Sequence, residues 1–204
     1  MDQTPEVKRA REIIEELRAE IEDAIACRAF LEAGNTEEAV AAFERGKGDV
    51  PILVQKAMFQ RLLFTLARMY DAARDAYGLR ALSRLLKPDV RTDLVSPHGR
   101  QDMERADEIW RRLRKDPRVK RLKGYRNSVG AHTIKDAWPD LDWPMNIDVL
   151  GVLRDTEPMI ESLAAATRIS TVSLSAVDTI WRERAEAYWQ RLIDTGPAPV
   201  DESE

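Results

Sequence analysis

The chain has 204 residues, enough to bury a core as one domain with small extensions. Nine glycines, with abundant Ala, Leu, Arg and Glu, point to an all-α protein. No stretch alternates like a half-buried strand, and none approaches the roughly 18 apolar residues of a membrane span, so a cytoplasmic protein with no membrane partner is expected.

The net charge of −4 is unevenly spread. Residues 109–126, "IWRRLRKDPRVKRLKGYR", hold nine Lys or Arg against one Asp, a local balance of +8. The remaining residues hold 23 basic and 35 acidic side chains, a balance of −12. Such polarity offers a polyanion a defined place, although a charge run on a helix can also be a solvated face.

In chain order, Thr4-Pro5 reads as an N-cap followed by proline at the first helical position, opening a helix to about Ala33. Its apolar stripe is Ile13, Ile14, Leu17, Ile21, Ala24, Ile25 and Phe30. The lone cysteine, Cys27, lies at helical spacing and reads as a small buried hydrophobe, with no partner for a disulfide. A short helix is expected from about Thr36 to Arg45. The most apolar helix follows a cap at Asp49 and runs towards Gly78, with the makings of a central element. "LRALSRLLK" gives a shorter helix ended by Pro88, and "PDVRTDLVSPHGR" reads as a loop that leaves His98 exposed.

A helix is expected from about Arg100 to Lys115, and Asp116-Pro117 repeats the cap-then-proline signal for the next. That helix carries "YRNSVGAHT", Tyr125 to Thr133. "AWPDLDWPMN" reads as a connector. A helix from about Ile147 to Ile169 is kinked or divided at Pro158, and a last one spans about Ala176 to Ile193. One helical domain is expected over residues 1–195, with a flexible acidic tail over 196–204. Trp138, Trp143, Trp181 and Trp189 read as core or interface residues, and Trp110 as the tryptophan to test for RNA contact.

The candidate chemistry sits in "YRNSVGAHT". Arg126 and His132 are six residues apart, so a straight helix sets them ~120° apart around its axis. A wide pocket, a helix loosened at Gly130 or a second protomer could still join them. Tyr125, Ser128 and His132 nearly share one stripe. RNA cleavage without a metal cofactor needs a base for the 2′-hydroxyl, and a histidine of pKa ~6.5 can supply it. A guanidinium suits the negative charge that builds on the phosphoryl oxygens, and Asn127 can donate to a phosphate or orient the histidine. The preceding basic segment, including Arg118, Lys120, Arg121 and Lys123, would guide the RNA backbone.

"YRNSVGAHT" resembles the Arg-Asn/Asp-x-x-x-x-His motif of HEPN domains, specifically the abortive-infection U-type branch. The likeness extends over roughly residues 10 to 170, through "LLFTLARMYDAARDAYGLRALSRLL", "HTIKDAWPDLDW" and "IDVLGVLRDTEPMIESLA". It implies an up-and-down helical bundle with additional short helices that dimerises through the motif helix. It also implies a metal-independent endoribonuclease of a defence or toxin–antitoxin type, working without a cofactor. Arg126, Asn127 and His132 would be its catalytic residues. The stripe shared with His132 would put Tyr125 and Ser128 in that cleft, and Tyr125 could equally pack in the dimer core. The implied partners are RNA, a second copy of the chain, and an antitoxin or defence-system protein. Ile134 stands where the HEPN toxins paired with nucleotidyltransferases carry a modified tyrosine, so the likeness does not extend to that control. The alternative is a non-catalytic HEPN module that binds nucleic acid or a partner protein.

Overall fold

Thr4 opens the fold as its sequence implies. Its hydroxyl oxygen accepts from the Val7 N–H at 3.4 Å, Pro5 takes the first helical position, and α1 runs over Pro5–Ala33. The structure is a computed structural model that describes residues 4–44, 50–71, 77–127, 144–169 and 172–194. Among them are α2 (Glu37–Glu44), α3 (Val50–Met69), α4 (Leu79–Leu85) and α5 (Pro88–Leu94). They continue with α6 (Arg100–Leu113), α7 (Pro117–Tyr125), α8 (Asn146–Thr167) and α9 (Leu174–Asp194), with no strand among the described residues. The protein is all-α. The expected tail, 196–204, and the connector tryptophans Trp138 and Trp143 lie outside the described residues.

The centre belongs to α1. Its stripe of Ile13, Ile14, Leu17, Ile21, Ala24 and Ile25 is buried, and it packs against α3, α8 and α9 and touches α4 and α5. Cys27 is buried beside this stripe, and burial pushes its thiol up to about 11, the behaviour of an inert core residue. The expected central helix takes a flank instead. Apart from Pro51, the well-buried part of α3 is its later half, through Leu62, Leu63, Leu66 and Met69, while Val50, Ile52 and Leu53 near its start are exposed. It also ends at Met69 rather than continuing towards Gly78. Two tertiary anchors turn the chain there. Tyr70 is buried with its hydroxyl 2.7 Å from Thr156 Oγ1, and the Asp71 carboxylate accepts from Arg126.

The expected loop after Pro88 is a correction of the same kind. Pro88 does not merely end a helix; it occupies the first turn of α5, where its missing N–H costs nothing. Val90 and Leu94, four residues apart, bury one side of that helix. Arg91 secures it with a two-pronged pair to Asp107 at 2.5 and 2.9 Å. His98, in the following turn, is exposed as expected. In α8, Pro158 neither ends nor divides the helix, which continues to Thr167. Trp189 of α9 is core, donating its indole N–H to the Phe30 carbonyl at 2.9 Å, and Trp181 packs half-buried against the core.

The α5–α6 turn lies directly on the end of α8. Ser96 N donates to the Ala166 carbonyl at 2.9 Å, and a Cβ on Gly99 would fall 2.4 Å from the same oxygen. Backbone cannot yield as a side-chain tip can. Gly99→Ala is therefore expected to cost about 1–3 kcal/mol, the ordinary range for overpacking. Its melting temperature should fall by roughly 2–4 °C per kcal/mol for a chain of this size. An unchanged melting curve would contradict the close approach.

Candidate functional site

Helix α7 places the candidate site by a well-defined start. The Asp116 carboxylate accepts from the Arg118 N–H at 2.8 Å, Pro117 occupies the first turn, and Val119 and Leu122 are buried. The regular helix stops at Tyr125, and Arg126 and Asn127 widen into a π-type turn, a local form that suits a site better than plain helix does. Tyr125 is half-buried on the core of its own protomer, its ring 6.4 Å from that of Phe64. Ser128 and His132 lie outside the described residues, as do Gly130 and Ile134.

Arg126 is held from two sides. Its Nη1 donates to Asp71 Oδ2 at 2.5 Å, at the end of α3. Its Nε and Nη2 donate to Asn127 Oδ1 at 3.2 and 2.8 Å. The side chain is 26% exposed, so the guanidinium is oriented but still open on one side. Asn127 turns its acceptor oxygen to the arginine, which leaves its amide N–H₂ as the part able to reach a phosphate. Sequence reading found Arg126 and Asn127 but not Asp71, which is 55 residues away and carries no local signal.

The basic segment divides into two sets. Arg118 and Arg121 turn towards α8. Arg118 donates to Asp116 and to Asp155, each at 2.6 Å, and Arg121 reaches Asp148 at 2.8 Å. These arginines fasten α7 to α8. Lys120 is exposed, and Lys123 is half-buried on another side of the helix. Asp148 has a further duty, because its Oδ2 also accepts from the Met145 N–H at the start of α8.

The fastening is pH-dependent. The hydrogen bonds from Arg118 hold the Asp116 carboxyl below the usual carboxylate range, and those from Arg121 do the same for Asp148, against the opposing effect of burial. A folded value below the unfolded ~3.9 makes the contribution complete above that value, and it is lost as pH falls through the folded one. The stability gap between the wild type and Asp148→Asn should therefore be widest near neutral pH and close as pH drops below about 4. Melting curves of both proteins across this range measure it, and a constant gap would refute the assignment.

The described residues hold no group of three or more His, Cys, Asp or Glu side chains placed to share a metal ion. None of their helices is long and apolar enough to cross a membrane. An arginine–amide pair in a widened turn, close behind a basic helix, lies within the residues matched by the HEPN_AbiU2 family model, described as AbiU2, which covers residues 8–142. The chain belongs to the AbiU2 family of HEPN domains. The match takes in α1 from Lys8 onward, α2 to α7 and the whole "YRNSVGAHT" stretch; α8 and α9 lie beyond it, so "IDVLGVLRDTEPMIESLA" is outside the matched residues. No curated protein and no solved structure matches the chain. As an AbiU2-type HEPN domain it falls among nuclease or nucleic-acid-related defence modules.

Proposed function

We propose that this HEPN domain is a metal-independent endoribonuclease whose site is built on Arg126, Asn127 and His132. The observation that carries the reading is the Arg126–Asn127 pair, oriented by Asp71 in a half-exposed turn inside the family-matched segment. In the proposed reaction, His132 takes the proton of a 2′-hydroxyl, whose oxygen attacks the adjacent phosphorus. The bond to the 5′-oxygen breaks, and that oxygen leaves with the proton that His132, now acting as the acid, gives back. The ends produced are a 2′,3′-cyclic phosphate and a 5′-hydroxyl. Arg126 stabilises the charge that builds on the non-bridging oxygens, with the Asn127 amide as a second donor.

A homodimer through the motif helix would bring two such sets into one cleft, with Tyr125 and Ser128 at its wall. Lys120 and Lys123 would draw RNA towards it, with Arg118 and Arg121 committed to their aspartates, and a defence-system or antitoxin protein would control it. The second reading is a binding module that does not cut. It is favoured by one observation: Arg126 already spends part of its charge on Asp71.

The test is incubation of the purified chain with a broad panel of labelled RNAs in EDTA, with chemical analysis of the ends and measurement of oligomeric state. Cleavage that leaves cyclic phosphate supports the proposal. Absence of cleavage across the panel, or a strict monomer that cuts nothing, gives way to the binding reading.

A further inference from the structure

Helices α4, α6 and α7 line a surface cavity of about 230 Å³ whose described lining includes neither Arg126 nor Asn127. Each helix presents a pair of residues four apart, and so one face of a turn: Arg80 and Arg84 from α4, Trp110 of α6 with Arg114 at its C-terminal cap, Val119 and Lys123 from α7. Four cations therefore face one concavity, and the described residues of its lining include no carboxylate. Among the described residues none of the four forms an ion pair, whereas Arg91, Arg118, Arg121 and Arg126 each hold an aspartate. Like charges gathered without counter-charge repel one another, and an anion seated among them would relieve that repulsion.

The rest of the lining suggests which anion. Trp110 stacks on Tyr70 with ring centroids 6.1 Å apart and planes at 24°, and the Tyr70 hydroxyl is anchored on Thr156. The indole is thereby fixed as an aromatic wall beside the cations, the combination that receives a base together with its phosphate. Ser83 adds a hydroxyl to the rim. Lys123 lies three and four residues before Arg126 and Asn127, so the cavity and the motif pair are about 5 Å apart along the α7 axis. A strand with one nucleotide in the cavity would present its next phosphate towards Arg126.

We propose that this cavity is a subsite for one nucleotide unit, its phosphate among Arg80, Arg84, Arg114 and Lys123 and its base against Trp110. The unit is either a residue of single-stranded RNA or a free mononucleotide. The proposal deepens the ribonuclease reading by giving the substrate a seat beside the motif, but binding there does not require cleavage. Sequence reading singled out Lys123 and Trp110; Arg80 and Arg84 escaped it because α4 lies outside the basic segment.

The experiment uses the full chain with His132→Ala, to prevent cutting, and measures binding of a labelled single-stranded RNA, AMP and inorganic phosphate at two salt concentrations. The same chain with Arg84→Gln and Arg114→Gln, and separately with Trp110→Phe, provides the comparison. The arginine pair should weaken RNA binding at least ~10-fold and flatten its salt dependence, because phosphate contacts are lost. Trp110→Phe should weaken RNA but leave phosphate unchanged, with a melting curve to show that the core has held. AMP binding that is sensitive to the same changes identifies a free-nucleotide site, and RNA binding without AMP binding identifies a strand subsite. Wild-type-like affinity in the arginine variant, or no binding of any probe by the parent, overturns the proposal. If the unmutated chain never cleaves yet its binding needs the cavity, the ribonuclease reading falls and the subsite stands. If it cleaves and the cavity variants bind and cleave normally, the subsite falls alone.

Discussion

Arg126→Ala is expected to slow RNA cleavage by about 10²–10³-fold, the usual loss when one donor to a developing oxyanion is removed. His132→Ala should cost about 10²–10⁴-fold, the range for a general base. For the arginine a structural explanation competes with the catalytic one, since its Nη1 also ties α7 to Asp71 at the end of α3. Asp71→Ala separates them. It breaks the same tie but keeps the guanidinium, still held by Asn127, so a catalytic Arg126 makes this variant lose clearly less activity than Arg126→Ala. Equal losses in Arg126→Ala and Asp71→Ala would mean that the tie is what matters. Arg126→Lys adds a second discriminator: lysine keeps the charge but cannot reach Asp71, Asn127 and a phosphate together. A lysine variant as active as wild type would sink the role assigned to the guanidinium fork.

What could be read in the sequence was what local chemistry dictates. Thr4-Pro5 and Asp116-Pro117 announced the starts of α1 and α7, because a capping oxygen and a proline satisfy the first turn wherever the helix lies. The buried stripe of α1 followed from its spacing. The apolar richness of α3 did not give its place, since Val50, Ile52 and Leu53 are exposed, and burial depends on neighbours as well as on composition. Proline and aspartate in "PDVRTDL" are turn formers and good first-turn residues alike, and the buried pair Val90 and Leu94 decided for helix α5. At the candidate site, Arg126 and Asn127 stood out through their family-like order. Asp71, Asp148 and Asp155 could not, because each meets its arginine across 27 to 55 residues of chain. The +8 segment was legible as charge, but its division into fastening arginines and open cations required the packing of α7 on α8.

Arg28→Ala is expected to be the most destabilising of the charge-removing changes, at about 3–5 kcal/mol. For a chain of this size that is a fall in melting temperature of roughly 6–20 °C. Arg28 lies in the central helix, and only 7% of its side chain is exposed. Its guanidinium joins α1 to both late helices, through Glu157 of α8 and, at 2.9 Å, Asp178 of α9. Burial already pushes the Glu157 carboxyl above its ordinary value, with Arg28 pulling it back. Without the arginine, Glu157 must either stay charged without that counter-ion or take up a proton, and both oppose folding near neutral pH. Asp178 keeps Arg182 at 2.8 Å and loses less. The origin of the loss can therefore be tested by a second substitution. Adding Glu157→Gln to Arg28→Met removes the stranded charge while keeping the volume, and it should recover a good part of the stability. A double variant no more stable than Arg28→Met alone would show that the stranded Glu157 charge is not the origin of the loss.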